Sequence, residues 1–127
     1  MTLKVEIKPG ERIIVGDALI TNAGPRAKLL VEGDAPILRE KDVLPAKRAD
    51  TPAKLVYLAV QLIYLKAGTE VVIGDYRGLA REFVEAAPGA RSIVEDIDNC
   101  ILIGDFYKAI KHARRLIEYE ERRIHDV

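Results

Sequence analysis

An almost wholly apolar segment, residues 51–65 with the sequence TPAKLVYLAVQLIYL, limits the folds open to this chain more than any other stretch. Thr51 followed by Pro52 indicates a helix start, because the threonine hydroxyl can accept a hydrogen bond from a free helix N–H and proline has no N–H to satisfy. Apolar side chains would cover most of the circumference of this helix, so other elements must pack on most of its sides. The segment is too short for a membrane span, which needs about 20 apolar residues.

Residues 1–45 have the pattern of short β-strands. From Leu3 to Ile7 apolar and charged residues alternate, as in a strand with one buried face. Further short apolar runs, each closed by residues typical of turns, lie at 13–15, 18–21, 29–31 and 37–38. Short strands with frequent turns predict a small antiparallel sheet or sandwich, which needs another element to cover its apolar face.

The chain after residue 51 has a helical pattern with one ambiguous part. Residues 75–86 are predicted to form a helix. The sequence does not decide between helix and strand for residues 69–74, because β-branched residues there favour a strand. In addition, Gly74 and Gly78 each disfavour a helix interior by about 1 kcal/mol relative to alanine.

Two more helices are predicted toward the end of the chain. Ser92 is the expected N-cap of a helix that continues to Leu102. Asp105 is the expected N-cap of a strongly amphipathic helix over residues 106–124.

These elements together predict an α+β fold. We expect a small N-terminal antiparallel β-sheet or sandwich packed against a C-terminal bundle of about four helices. A length of 127 residues suits one ordinary domain. We therefore expect residues 1–127 to form a single domain with a β-rich part at 1–45 and a helical part at 51–127.

Composition excludes some classes of function. Twenty basic and twenty acidic residues give a net charge of zero, whereas a general polyanion binder is expected to be strongly basic. The single cysteine, Cys100, permits no internal disulfide and fits a reducing compartment. The N-terminal residues lack the apolar core of a signal peptide, so we expect a cytoplasmic protein.

Two basic features could nevertheless contact the phosphates of a nucleic acid. One follows the β-rich part, and the other lies on the polar side of the last helix, where Tyr119 could stack on an unpaired base. Acidic residues lie among these cations, so an ordinary solvated surface is the interpretation that the residues alone favour. The candidate RNA-contacting residues are Arg39, Lys41, Lys47, Arg48, Lys111 and Arg115.

A second candidate surface lies on the apolar helix itself. Lys54, Tyr57, Gln61 and Tyr64 are three, four and three residues apart and therefore share one narrow stripe. The stripe could be the solvent edge of the helix, where tyrosine and lysine cover apolar surface with a polar tip. It could equally be half of a protein interface, where tyrosine is enriched.

Little in the sequence indicates catalysis. Cys100 lies at an inward helical position, which suits a small buried side chain better than a nucleophile. His112 and His125 lack a partner at a suggestive spacing. We find no spacing typical of a zinc or calcium site. The sequence therefore predicts a protein that is not an enzyme and that needs no metal or cofactor.

Three segments together resemble one known family. Residues 7–12 have the sequence IKPGER, residues 37–44 have the sequence ILREKDVL and lead into the helix at 51–65, and residues 104–120 have the sequence GDFYKAIKHARRLIEYE. In this order they resemble the flagellum biosynthesis repressor FlbT family over essentially the whole chain. ILREKD followed by the Thr-Pro-capped helix is the most specific part.

This resemblance implies a post-transcriptional regulator of flagellin synthesis. It implies action on the 5′ leader of flagellin messenger RNA, which lowers translation or message stability. A FlaF-like regulator and flagellin itself are the protein partners that it implies. A homodimer, which would join two basic faces, is a further expected arrangement.

The alternative hypothesis is a protein–protein adaptor that binds FlaF or flagellin and does not contact RNA. The zero net charge and the tyrosine stripe on the apolar helix favour it. The stripe formed by Lys54, Tyr57, Gln61 and Tyr64 would then be the partner-binding surface.

Overall fold

A computed structural model describes residues 2–125, with the side chains of Ile124 and His125 excluded. The chain forms two compact units, Met1–Val43 and Leu44–Val127. In the described residues the first unit contains five β-strands and the second contains four α-helices, so the predicted α+β class is confirmed. The expectation that both units form one domain stays a prediction.

Two small antiparallel sheets form the first unit. The strands are β1 Thr2–Ile7, β2 Arg12–Val15, β3 Ala18–Thr21, β4 Ala27–Glu32 and β5 Ile37–Arg39. Strand β1 pairs with β4, and β2 lies between β3 and β5. A 3-10 turn, Glu40–Asp42, follows β5.

The core of the strand unit follows the alternation seen in the sequence. Val5, Ile7 and Ile13 are buried together. Val5 lies opposite Leu29 in the register of β1 and β4, so inward side chains of the two strands meet across the sheet. Leu3, by contrast, remains 48% exposed, and the alternation therefore predicted the face of this residue but not its burial.

Four α-helices form the second unit. They are α1 Pro52–Leu65, α2 Glu70–Ala86, α3 Arg91–Leu102 and α4 Phe106–His125, with 3-10 turns at Ala46–Arg48 and Pro88–Ala90. Helix α1 packs against α2 and α4, and α3 packs against α4. None of the helices in the described part of the chain combines the length and apolar character that a membrane crossing requires.

Burial of α1 is less complete than its sequence predicts, because seven of its fourteen residues are buried whereas Leu55 and Leu62 are exposed. Val56, Val60 and Ile63 have no exposed surface, and the facing side of α4 buries Ala113 and Leu116. Small alanines on α4 allow the two helices to approach closely, while the branched side chains of α1 fill the space between them.

Side-chain caps begin two of the four α-helices, α1 and α4. Thr51 Oγ1 accepts from the backbone N–H of Lys54 at 3.2 Å, and Asp105 Oδ1 accepts from the backbone N–H of Lys108 at 3.2 Å. Both predicted caps are therefore confirmed. The predicted cap at Ser92 is wrong, because the 3-10 turn Pro88–Ala90 leads directly into α3, which begins one residue earlier without a side-chain cap.

The ambiguous residues 69–74 resolve as helix. Helix α2 begins at Glu70, with Thr69 in an extended conformation before it. Local strand propensity is outweighed because the apolar side of the helix, including Tyr76 and Ala80, is buried. Tyr76 also donates to Asp98 Oδ1 at 2.7 Å and so ties α2 to α3; burial and the Asp98 carboxylate raise the pKa of this phenol.

Candidate nucleic-acid surface

Arg39, the first of the predicted RNA-contacting residues, is engaged within the strand unit. Its Nη2 donates to the backbone carbonyl of Glu6 at 2.7 Å and to the Glu11 carboxylate at 3.2 Å. The backbone N–H of Lys8, together with this guanidinium, holds the pKa of Glu11 below its ordinary value. Arg39 therefore joins β5 to β1 and to the turn after it.

Arg115 is engaged in a similar way on α4. Its Nη1 lies 2.8 Å from Asp96 Oδ2 on α3 and 2.8 Å from His112 Nδ1. The Asp96 pKa is lowered because its carboxylate accepts this charged hydrogen bond. The guanidinium is thus directed toward α3, and it links the two helices.

The other three predicted cations before α1 lie on 3-10 turns. Lys41 is exposed in the turn Glu40–Asp42 of the strand unit, and Lys47 and Arg48 are exposed in the turn Ala46–Arg48 of the helical unit. Exposed ammonium and guanidinium groups on such turns can reach a phosphate. Their RNA-contacting role stays a prediction.

Lys111 belongs to a cluster of aromatic and cationic side chains along the edge between α1 and α4. Tyr107, Lys111 and Arg114 are four and three residues apart and share one face of α4. The ring centroids of Tyr107 and Tyr64 are 6.0 Å apart at an angle of 55°. Lys111 Nζ lies 5.0 Å from the centre of the Tyr107 ring, within the range of a cation–π interaction.

A second cation–aromatic pair lies one turn farther along α4. Arg114 Cζ is 6.0 Å from the centre of the Tyr57 ring, and Arg114 Nη2 donates to Tyr57 Oη at 3.3 Å. Tyr57 is 3% exposed, whereas Tyr107 is 38% exposed. We call Tyr57, Tyr64, Tyr107, Lys111 and Arg114 the tyrosine–cation surface.

The predicted partner-binding stripe is only partly exposed. Tyr57 and Gln61 are buried. The Gln61 side chain accepts from the backbone N–H of Leu44 at 2.8 Å and donates to its carbonyl at 3.1 Å, so it fixes the start of the helical unit on α1. Lys54 Nζ lies 3.4 Å from Asp50. The interpretation of the stripe as a solvent edge is therefore wrong at Tyr57 and Gln61, whereas Lys54 and Tyr64 are half-buried, and the partner-binding role stays a prediction.

Cys100 and His112 are the residues weighed as catalytic whose side chains the structure describes. Cys100 is buried, and burial raises the pKa of its thiol. His112 contacts Arg115, and the His125 side chain lies outside the described residues. Across the described part of the chain, no three His, Cys, Asp or Glu side chains gather in a way that could hold a metal ion.

A comparison with protein-family models shows which family the chain belongs to. The family model described as "Flagellar protein FlbT" matches residues 3–124.

The chain belongs to the FlbT family.

Curated FlbT relatives align over almost the whole chain. "Probable flagellum biosynthesis repressor protein FlbT 1" of Bradyrhizobium diazoefficiens is 54% identical over 123 residues, which are 96% of this chain and 84% of the relative. "Probable flagellum biosynthesis repressor protein FlbT" of Rhodopseudomonas palustris is 47% identical over 121 residues, 95% of this chain and 96% of the relative. The resemblance inferred from the three segments is confirmed.

More distant FlbT proteins match as well. "Flagellum biosynthesis repressor protein FlbT" of Caulobacter vibrioides is 31% identical over 128 residues, which cover 98% of this chain and 90% of the relative. No solved structure gives a significant match to the chain.

The tyrosine–cation surface places a partly exposed aromatic ring beside two cations. A partly exposed aromatic ring can stack on any unpaired base, and adjacent cations can neutralise the phosphates on either side of it. Tyr107 supplies the ring, and Lys111 and Arg114 supply the charge. Tyr107 contacts Tyr64 and Arg114 contacts Tyr57, so side chains of α1 and α4 meet at this surface.

Sequence reasoning missed Tyr107 and Arg114. The spacing of Tyr107, Lys111 and Arg114 was available as a signal, and so was the seven-residue spacing of Tyr57 and Tyr64. What joins the two sets is the packing of α1 on α4, which no local pattern specifies.

Proposed function

We propose that this FlbT-family protein represses flagellum biosynthesis after transcription, by binding the 5′ leader of flagellin messenger RNA and lowering its translation or stability. The names of the curated relatives support the repressor role. The observation that carries the RNA step is the tyrosine–cation surface, where a partly exposed tyrosine contacts a lysine and a second aromatic ring. The protein would act in the cytoplasm, where the message is translated.

The proposed contact is with unpaired nucleotides of the leader. A base stacks on the exposed part of the Tyr107 ring, and Lys111 and Arg114 neutralise neighbouring phosphates. Such a contact lowers expression if the bound nucleotides include the ribosome-binding region, or if binding exposes the message to nucleases. Lys41, Lys47 and Arg48 are proposed as further phosphate contacts.

A fluorescence anisotropy titration tests the proposal with labelled flagellin leader RNA from the same genome and a scrambled RNA of equal length. The unsubstituted protein is expected to bind the leader more tightly than the scrambled RNA. Tyr107→Ala should weaken leader binding about fivefold to 150-fold, since stacking one base on an aromatic side chain contributes about 1–3 kcal/mol.

Charge substitutions provide matched controls in the same titration. Lys111→Ala should weaken binding, whereas Lys28→Ala removes an equal charge from an exposed position of strand β4 and should change it little. Circular dichroism should be unchanged for both variants. Equal effects of the two substitutions, or no effect of Tyr107→Ala, would contradict the assignment of RNA binding to this surface.

A FlaF-like regulator and flagellin are the proposed protein partners of this repressor. Their support is the family relationship, and burial of Tyr57 and Gln61 leaves only Lys54 and Tyr64 of the stripe partly exposed. Repeating the titration with purified FlaF added would show whether the partner is required. Leader binding that appears only with FlaF present would favour the adaptor hypothesis over direct RNA recognition.

A further inference from the structure

An apolar groove runs along the seam between α1 and α2, with the end of α4 at one side. It consists of two hollows of about 490 and 380 Å³. Leu55 and Leu79 line both hollows, so the two hollows lie next to each other along the seam. Leu55 and Leu62 are 39% and 38% exposed although they lie on the most apolar helix of the chain.

The lining of the groove repeats at helical spacing on both sides. Helix α1 contributes Leu55, Leu58 and Leu62, which are three and four residues apart, and α2 contributes residues at the same intervals from Val72 to Ala86. At 1.5 Å per residue the α2 side extends about 21 Å, the length of a helix of about 14 residues. In helix-in-groove recognition, two such apolar stripes form the hydrophobic groove in which an amphipathic helix binds.

The polar lining of the groove is predominantly acidic. Asp75, Glu82 and Glu120 contribute three carboxylates, and Arg123 is the one cation among the described lining residues. Arg123 Cζ lies 5.7 Å from the centre of the Tyr119 ring. A second copy of the chain docked through this groove would bring like charges together, whereas a basic helix would meet opposite charge.

We infer that this groove binds an amphipathic helix of a partner protein, about 14 residues long, with an apolar stripe and basic flanking residues. The inference does not depend on RNA binding. On α1, the groove residues Leu55 and Leu62 lie on the side opposite Tyr57 and Tyr64 of the tyrosine–cation surface, so both surfaces can be occupied at the same time.

A labelled synthetic peptide of about 14 residues, with leucines three and four apart and lysines elsewhere, tests this site by anisotropy. A second peptide carries glutamate in place of every lysine. The lysine peptide should bind the unsubstituted full-length protein in the micromolar range, and the glutamate peptide should bind at least about tenfold more weakly. Equal binding of both peptides, or no binding of the lysine peptide, would overturn the inference.

Substitutions on α2 locate the binding site. Glu82→Lys should weaken binding of the lysine peptide about fivefold, as expected for reversing one exposed charge. Glu85→Lys is its matched control, since Glu85 is exposed on the same helix but does not line the groove. Ala86→Phe should block binding by filling the groove at an exposed position, with circular dichroism unchanged. Equal weakening by Glu82→Lys and Glu85→Lys would place the peptide elsewhere and overturn the inference.

Discussion

Gly68 is a single residue at which both the backbone and the packing exclude a side chain. Its φ of 72° lies in the left-handed region, which favours glycine. A Cβ atom at this position would lie 2.6 Å from Cζ of Phe106. The ring of Phe106, the first residue of α4, therefore packs directly on the turn between α1 and α2.

Replacing Gly68 should destabilise the protein through backbone strain and through a collision with Phe106. Comparing alanine variants at Gly104 and Gly68 separates these two causes. Gly104→Ala places alanine at a φ of 77° with no atom within 4 Å of the new Cβ, and should cost about 1 kcal/mol. Gly68→Ala adds the collision with Phe106 and should cost about 1–3 kcal/mol more. Urea unfolding measures both values. Equal losses of unfolding free energy in the two variants would show that the Phe106 ring moves aside freely.

The Asp96–Arg115 pair should make stability depend on pH. Because the folded-state pKa of Asp96 is lowered, its contribution is present above the ordinary carboxyl pKa of 3.8 and is lost as the pH falls through the folded-state value. Asp96→Asn should therefore destabilise the protein at neutral pH, by an amount that shrinks in acid. Urea unfolding at neutral and acidic pH measures this difference. Glu95 is a neighbouring exposed carboxylate with no ion pair in the described residues. The effect of Glu95→Gln on the free energy of unfolding should therefore not change between neutral and acidic pH.

At the level of elements, the start of α1 depends on a residue of α4. Thr51 satisfies the backbone N–H of Lys54, and Pro52 has none. The N–H of Ala53 donates to Glu120 Oε2 at 3.1 Å, which places a carboxylate at the positive end of the helix dipole. Together these contacts satisfy the first turn and fix the two helices in an antiparallel arrangement.

Removing the Glu120 carboxylate should destabilise the N-terminus of α1. Glu120→Ala is expected to cost about 1 kcal/mol of unfolding free energy, because it removes both a cap and a favourable charge at the helix N-terminus. Glu121→Ala changes the neighbouring exposed residue of α4 in the same way and should cost almost nothing. Denaturant unfolding of the two variants checks this, and equal midpoints would contradict a capping role for Glu120.

At the scale of the whole molecule, charge balance limits how RNA can be bound. The chain has no net charge, so long-range attraction to a polyanion is weak and binding must rely on a local surface. Arg39 and Arg115 are engaged by carboxylates within the protein. Direct RNA binding by this protein should therefore involve few phosphates and a large share of stacking.

The salt dependence of leader binding measures how many phosphates the protein neutralises. Two cations on the tyrosine–cation surface, Lys111 and Arg114, should give a slope of log K against log salt of about −1.4, since a single strand releases about 0.7 ion per phosphate. A slope beyond about −3 would show that more cations take part, with Lys41, Lys47 and Arg48 the candidates. Lys111→Ala should reduce the slope by about 0.7.

Local sequence determined much of the fold. The Thr51-Pro52 start of α1 and the Asp105 cap of α4 are contacts between near neighbours in the chain, so the residue types alone specify them. Strand positions also follow from short-range alternation and turns. Residues 69–74 and Ser92 were not predictable in this way, because burial of one face of α2 and the turn Pro88–Ala90 outweighed local propensity.

The sequence by itself determined the fold class, the burial of one side of α1 at Val56, Val60 and Ile63, and the resemblance to the FlbT family. Only the tertiary structure decided which side chains meet. Ala53 and Glu120 are 67 residues apart, and Tyr64 meets Tyr107 across two helices. The physical reason is range: capping and periodicity act within one or two turns, whereas the partner of an outward side chain depends on how whole helices pack.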